Sequence, residues 1–244
     1  MAQKPALTLT PRRSADPEPD LTSLLVIHRA IRKDLARLTT LLDQVDARNT
    51  TAARRRAIRR YAASLLTEIR LHHAGEDDIV WPVIQATAGQ AIDLTPLTDD
   101  HHGLEALVAG VELALPALTG ASAETTRLTH LRTAVRDLRD MLDEHIADEE
   151  AQIVPVIRQY MPAESYAWCV RRIMQMPSIG ILRFGAPWVA RFAGPHELAR
   201  LLAAADWTMR PFLAVTRPGY RRLERRAFAE MDGQKIEAER VWDR

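Results

Sequence analysis

Two strings in this chain pair a histidine with a glutamate four residues later and a second acid directly after it. They are His72, Glu76 and Asp77, then His145, Glu149 and Glu150. A proline follows each glutamate by six positions, at Pro82 and Pro155. On an α-helix, residues i and i+4 share a face with Cβ atoms roughly 5–6 Å apart, so each pair points an imidazole and a carboxylate the same way. Apolar neighbours turn those faces inward: Ile69 and Ile79 flank His72, and Leu142 and Ile153 flank His145. His28 and His101 also lie on apolar stripes, between Leu24 or Leu25 and Ile31, and between Leu97 and Leu104. Four imidazoles and two carboxylates are thereby expected inside one helical assembly. A buried polar group without a partner costs on the order of 1–3 kcal/mol, and a bare carboxylate more. Divalent cations are natural partners, since imidazole suits iron, copper, zinc and nickel and carboxylates can bridge two ions. Glutamates and spaced histidines on inward helix faces are what di-iron and di-manganese bundles use.

Composition alone yields roughly 0.5 His-x-x-x-Glu pairs among eight histidines, whereas three occur, the third being His101 and Glu105. Exposed pairs of this kind are common, so the stronger argument is an internal repeat. Shifted by 73 residues, Leu21 falls on Leu94, His28 on His101 and Ile31 on Leu104. Under the same shift Ile69 falls on Leu142, His72 on His145, Glu76 on Glu149, Asp77 on Glu150 and Pro82 on Pro155. The repeat selects His72 over its neighbour His73, which falls on Ile146, and His101 over His102, which matches Arg29. His73 and His102, each turned by about 100°, are read as rim or supporting groups. Glu105 matches Arg32 and is read as an ion-pair or supporting residue. Asp77 and Glu150 either orient ligand imidazoles or form a solvated acidic rim. His130 and His196 are read as surface residues.

Helices must carry these residues, and the sequence supplies them. Leu21, Leu24, Leu25, Ile31, Leu35, Leu38 and Leu42 recur at three- and four-residue steps. A second helical stretch runs from about Thr51 to Gln85 and ends before Gly89, and a third runs from Thr95-Pro96 to about Leu118, before Gly120. A fourth runs from about Ser122 to Tyr160. Four long helices with short joints predict an all-α, up-down-up-down four-helix bundle over residues 20–160. Residues 1–19 read as a disordered tail and 161–244 as a basic helical extension. Pro82 and Pro155 should each kink or end a helix.

The 47% apolar content supports a sizeable core. A single cysteine, Cys169, excludes an internal disulfide and argues against a structural zinc site. Without a signal-like N-terminus or a long apolar run, a cytoplasmic chain with no membrane span is expected. The net charge of +1 indicates no global electrostatic partner.

The strings "HHAGEDDIVWP" (72–82) and "HIADEEAQIVP" (145–155), with His28 and Ile31 and with His101 and Leu104, resemble the hemerythrin-like, HHE cation-binding family over roughly residues 20–160. The resemblance implies a non-haem di-iron centre, with manganese or zinc less favoured. Its implied metal ligands are His28, His72, Glu76, His101, His145 and Glu149, and both glutamates are candidate bridges. Oxygen-carrying hemerythrins are richer in histidine, and this chain reaches five only if His73 or His102 joins. Some family members place a carboxylate where this chain has His73. Family roles span oxygen storage, sensing of oxygen, nitric oxide or iron, and peroxide decomposition. The implied function is binding of, or reaction with, oxygen, nitric oxide or peroxide. The alternative is an iron- or oxygen-responsive regulator that contacts a protein partner through residues 163–244.

The last third contains Trp168, Pro177, Gly180, Gly185, Pro187, Trp188, Gly194 and Pro195. A short helix is expected from His196 to about Asp206, with Pro211 and Pro218 punctuating the turns after it. Arg217, Arg221, Arg222, Arg225 and Arg226 form a basic stretch there. The favoured reading is an extension packed on the bundle with a solvated arginine face. Nucleic acid is disfavoured because no recognition fold accompanies the arginines. The five tryptophans and Cys169 are read as packing residues.

Overall fold

The computed structural model describes residues 7–46, 50–119 and 125–229. Among them there is no strand. In chain order the helices are α1 (Thr22–Gln44), α2 (Ala52–Gly75), α3 (Trp81–Ala88), α4 (Thr95–Ala114), α5 (Thr125–Tyr160), α6 (Ala163–Ile173), α7 (Ile179–Phe192), α8 (Pro195–Ala204) and α9 (Met209–Phe228). A π-helical turn, Glu76–Val80, joins α2 to α3, and a 3-10 turn, Leu115–Leu118, ends α4.

Local chemistry sets several helix starts. Asp20 Oδ1 accepts from the Thr22 N–H at 3.0 Å, and Asp93 Oδ1 from the Thr95 N–H at 3.0 Å. The Thr51 hydroxyl accepts from the Arg54 N–H, supplying a partner that the first turn of α2 lacks. Gly89, with φ of +57°, ends α3 in a conformation that side chains with a Cβ rarely adopt. Gly120 and Ser122 lie outside the described residues.

The two prolines of the repeat behave differently. Pro82 sits in the first turn of α3, directly after the π turn, where its missing N–H is tolerated. The π turn closes with the Trp81 N–H donating to the Glu76 carbonyl. Pro155 lies inside α5, which continues past it to Tyr160. α7 and α9 likewise run through Pro187 and Pro218, the second of which was expected to punctuate a turn. The apolar anchors of those helices explain this: Phe184, Trp188, Leu213, Tyr220 and Phe228 are buried, and their packing outweighs a local helix defect.

α1 packs on α2 and α5, and α4 packs on α2 and α5. The apolar interior divides in two along these helices. One part contains Ile31, Leu35, Leu65, Ile69, Leu104, Val108, Leu142 and Ile146. The other contains Leu21, Val80, Trp81, Leu97, Ile153 and Ile157. α1 and α4 run from the second part to the first, and α2 and α5 run the opposite way. Between the two parts, each helix carries its histidines.

The extension is continuous with this interior. α9 packs on α2 and α7, and α7 on α1. Phe184, Trp188, Tyr220, Ala227 and Phe228 belong to the same core as Leu35 and Leu65. At the joint, Asp34 is fully buried; its Oδ2 accepts from the Tyr61 hydroxyl at 2.7 Å and the Trp188 indole N–H at 2.9 Å. Its Oδ1 accepts from Arg37 at 2.7 Å. Arg29 meets Glu197 through both guanidinium nitrogens, and Glu224 accepts from Arg37 and lies by Arg191.

The described part of residues 1–19 meets the end of α5 and the start of α6. The Thr8 N–H donates to the Ser165 hydroxyl at 2.9 Å, which donates back to the Thr8 carbonyl. The Arg12 N–H donates to the Tyr160 carbonyl at 2.8 Å. The sequence showed prolines and charge here, but not the carbonyls waiting at the end of α5. Among the described residues, no helix is long and apolar enough to cross a membrane.

Candidate metal centre

α1 supplies His28, α2 supplies His72 and His73, and the following π turn supplies Glu76. α4 supplies His101, and α5 supplies His145 and Glu149. All seven side chains are buried. They form two adjoining groups, each with donor atoms within 4.8 Å of one another: His28, His72, Glu76 and Glu149, and His73, His101 and His145. The six residues selected by the repeat are therefore brought together, and His73 joins them.

The glutamates span the groups. Glu76 Oε1 lies 3.4 Å from His72 Nε2 and 3.9 Å from His28 Nε2, while its Oε2 lies 3.7 Å from His101 Nε2. Glu149 Oε2 lies 3.4 Å from His28 Nε2 and 3.8 Å from His145 Nε2.

Acids on the outer side fix the imidazole tautomers. His28 Nδ1 meets Glu150 Oε1 at 2.9 Å, and His101 Nδ1 meets Asp77 Oδ1 at 2.9 Å. An ionised carboxylate only accepts, so each Nδ1 carries a proton and each ring turns its Nε2 inward. His145 Nδ1 makes a longer contact, 3.5 Å, with Asp100 Oδ2. The two alternatives for Asp77 and Glu150 are thus decided: both orient imidazoles.

The inward atoms lack partners. Among the described residues no hydrogen bond reaches Nε2 of His28, His72 or His73, or either carboxylate oxygen of Glu76 and Glu149. His101 Nε2 and His145 Nε2 face each other at 3.2 Å. Two lone pairs at that distance repel unless a proton or cation stands before them. Burial pushes the His72 and His73 rings well down from the usual imidazole range, and neighbouring imidazoles add to it. Burial also lowers His145. Burial and the Glu149 charge push Glu76 well up. Burial disfavours charge on His28, but Glu149, Glu150 and Glu76 outweigh it and raise the ring to about 10. The site holds two buried carboxylates that need positive charge; His28 readily takes a proton, but His72, His73 and His145 resist taking more. That donor set fits divalent cations.

His73 is 7% exposed and stacks on His101 with ring centroids 4.3 Å apart, so the rim position expected for it is corrected. The signal was present: its repeat equivalent, Ile146, is apolar and fully buried, which marks the position as inward. His102 is exposed, as read, and Glu105 pairs with Arg70 at 2.8 Å. Asp100 was missed because its repeat equivalent, Ile27, is apolar. Trp81 stacks over His101 at 6.1 Å.

The profile of the hemerythrin HHE cation binding domain matches residues 21–157. No curated protein and no solved structure matches the chain.

Proposed function

Because the chain belongs to the hemerythrin HHE cation-binding family, we propose that it is a non-haem di-iron protein that binds or reacts with oxygen, nitric oxide or peroxide. The observation that carries this reading is the pair of adjoining donor groups, spanned by Glu76 and Glu149, most of whose inward atoms lack a hydrogen-bond partner among the described residues. His28 and His72 would hold one iron; His73, His101 and His145 would hold the other; and the two glutamates would bridge them. We further read α1, α2, α4 and α5 as an up-down-up-down bundle, a reading supported by their alternating passage between the two halves of the core.

When bound, the irons supply redox change and a coordination position for a small ligand. The chain's own residues prepare that chemistry. Asp77 and Glu150 hold the His101 and His28 rings by Nδ1 and turn each Nε2 towards the site. Leu97, Ile69 and Ile153, each about one helical turn from His101, His72 and Glu149, are buried apolar residues on the same helices. Trp81 covers one face of His101.

A regulatory reading has one observation in its favour. Arg29, adjacent to His28, pairs with Glu197 of α8, so a displacement of the His28 segment reaches the extension directly. Anaerobic loading with ferrous iron, followed by optical spectra with oxygen, azide, nitric oxide and peroxide, tests the first reading. A stable oxygen adduct supports storage or sensing, rapid peroxide turnover supports an enzyme, and no spectral change with any of the four contradicts both.

A further inference from the structure

A cavity of about 600 Å³ separates α1, α2 and α5 from the extension. Its walls are mainly apolar, with Leu24, Ile27, Ile153, Val170, Val189 and Leu201 among them, and its inner end reaches His72, Glu76 and Glu149. Its rim includes Asp20 and Arg200, both exposed. A diatomic molecule needs about the space of one water, roughly 30 Å³, whereas pockets of about 300–1,000 Å³ take molecules of drug size. The cavity is far larger than the small ligands of the metal centre require.

One group in its wall is unaccounted for. Glu68 sits one helical turn before His72, is 8% exposed, and its Oε1 is buried without a hydrogen-bond partner among the described residues. Gly185 of α7 makes room for it: a Cβ there would stand 2.5 Å from Glu68 Oε1 and 2.7 Å from Oε2. A lone carboxyl against apolar walls is costly unless something pairs with it.

We propose that this cavity binds a single-chain apolar molecule ending in an uncharged hydroxyl, a long-chain alcohol, with the Glu68 carboxyl as the seat of its head group. The chain would lie along the apolar walls and the hydroxyl would donate to Glu68 Oε1. A fatty carboxylate is disfavoured, because seating its head at Glu68 would bury a full charge among apolar walls. An ammonium carries three donors and would leave some of them bare against apolar side chains. A hydroxyl is satisfied by one carboxyl. Burial pushes Glu68 up to about 8, which leaves it largely protonated near neutral pH and adds no charge for the ligand to neutralise.

The test is calorimetric titration of the full-length protein with decan-1-ol, decanoate, decylamine and decane. The inference expects decan-1-ol to bind tightest, at one per chain. In Glu68→Leu its affinity should fall at least tenfold, while decane binding stays as it was. Ala186→Trp, which fills the cavity from α7, should abolish both. Circular dichroism and metal content identify any variant that fails to fold, and the four-probe comparison on the unaltered chain needs no variant. Decanoate or decylamine binding as tightly as decan-1-ol overturns the inference. So does undiminished decan-1-ol binding to folded Glu68→Leu, or absence of binding by all four probes.

Discussion

His73 and His102 look alike in sequence, each beside a histidine selected by the repeat, yet one is buried against His101 and the other is exposed. Metal binding should separate them. His73→Ala removes one of three imidazoles from its group, so iron retained after gel filtration should fall from two per chain towards one; His102→Ala should retain both. Glu68 gives a second prediction at this scale. Its folded pKa of about 8 lies above the ordinary carboxylate value, so between about pH 4.5 and 8 the folded state holds a proton that the unfolded state has lost. Stability therefore falls as pH rises through that window, by up to about 1.4 kcal/mol per unit. Glu68→Gln should flatten this slope in urea titrations from pH 5 to 8, and an unchanged slope would remove Glu68 as its source.

At the scale of elements, the joint between α1 and α7 rests on one buried carboxylate. Asp34 receives the Tyr61 hydroxyl, the Trp188 indole and the Arg37 guanidinium. Asp34→Ala would strip the Trp188 indole of its acceptor and leave Arg37 with Glu224 and Tyr61 with Tyr220 alone, and removing one partner of such a buried set costs roughly 3–5 kcal/mol. Chemical denaturation should show that loss, whereas Asp43→Ala, whose ion pair with Arg136 is exposed, should cost less than about 1 kcal/mol. Much of the helical frame was legible in the sequence. The repeat located the helices bearing His28, His72, His101 and His145, since a buried metal site and its apolar flanks impose the same spacing twice. The π turn after Glu76 was not legible, because Pro82 and Pro155 look equivalent and only their surroundings differ. Nor were the continuous helices through Pro187 and Pro218, since their stabilising contacts come from distant residues such as Tyr61. The burial of His73 was not drawn from the sequence, because the repeat was used as a test of identity. The apolar Ile146 at the matching position already marked an inward face.

At the scale of the whole molecule, the extension is not a detachable reporter. Phe184, Trp188, Tyr220 and Phe228 share a core with the helices that carry the histidines. A chain cut after Pro162 should expose that core and aggregate or unfold on heating well below the full-length protein. Its loss of any partner would then say nothing about the arginines. Replacing the exposed Arg222, Arg225 and Arg226 with glutamate is the cleaner probe of a docking role. The central claim concerns the metal pair, and its most direct measurement is iron per chain, by mass spectrometry of full-length protein loaded anaerobically with ferrous iron and freed of excess by gel filtration. The arrangement of two adjoining donor groups predicts two irons per chain, falling below one in a His101→Ala, His145→Ala, Glu149→Ala triple variant that keeps its helical spectrum. Retention of no iron by the unaltered chain, or of two irons by that variant, would contradict it.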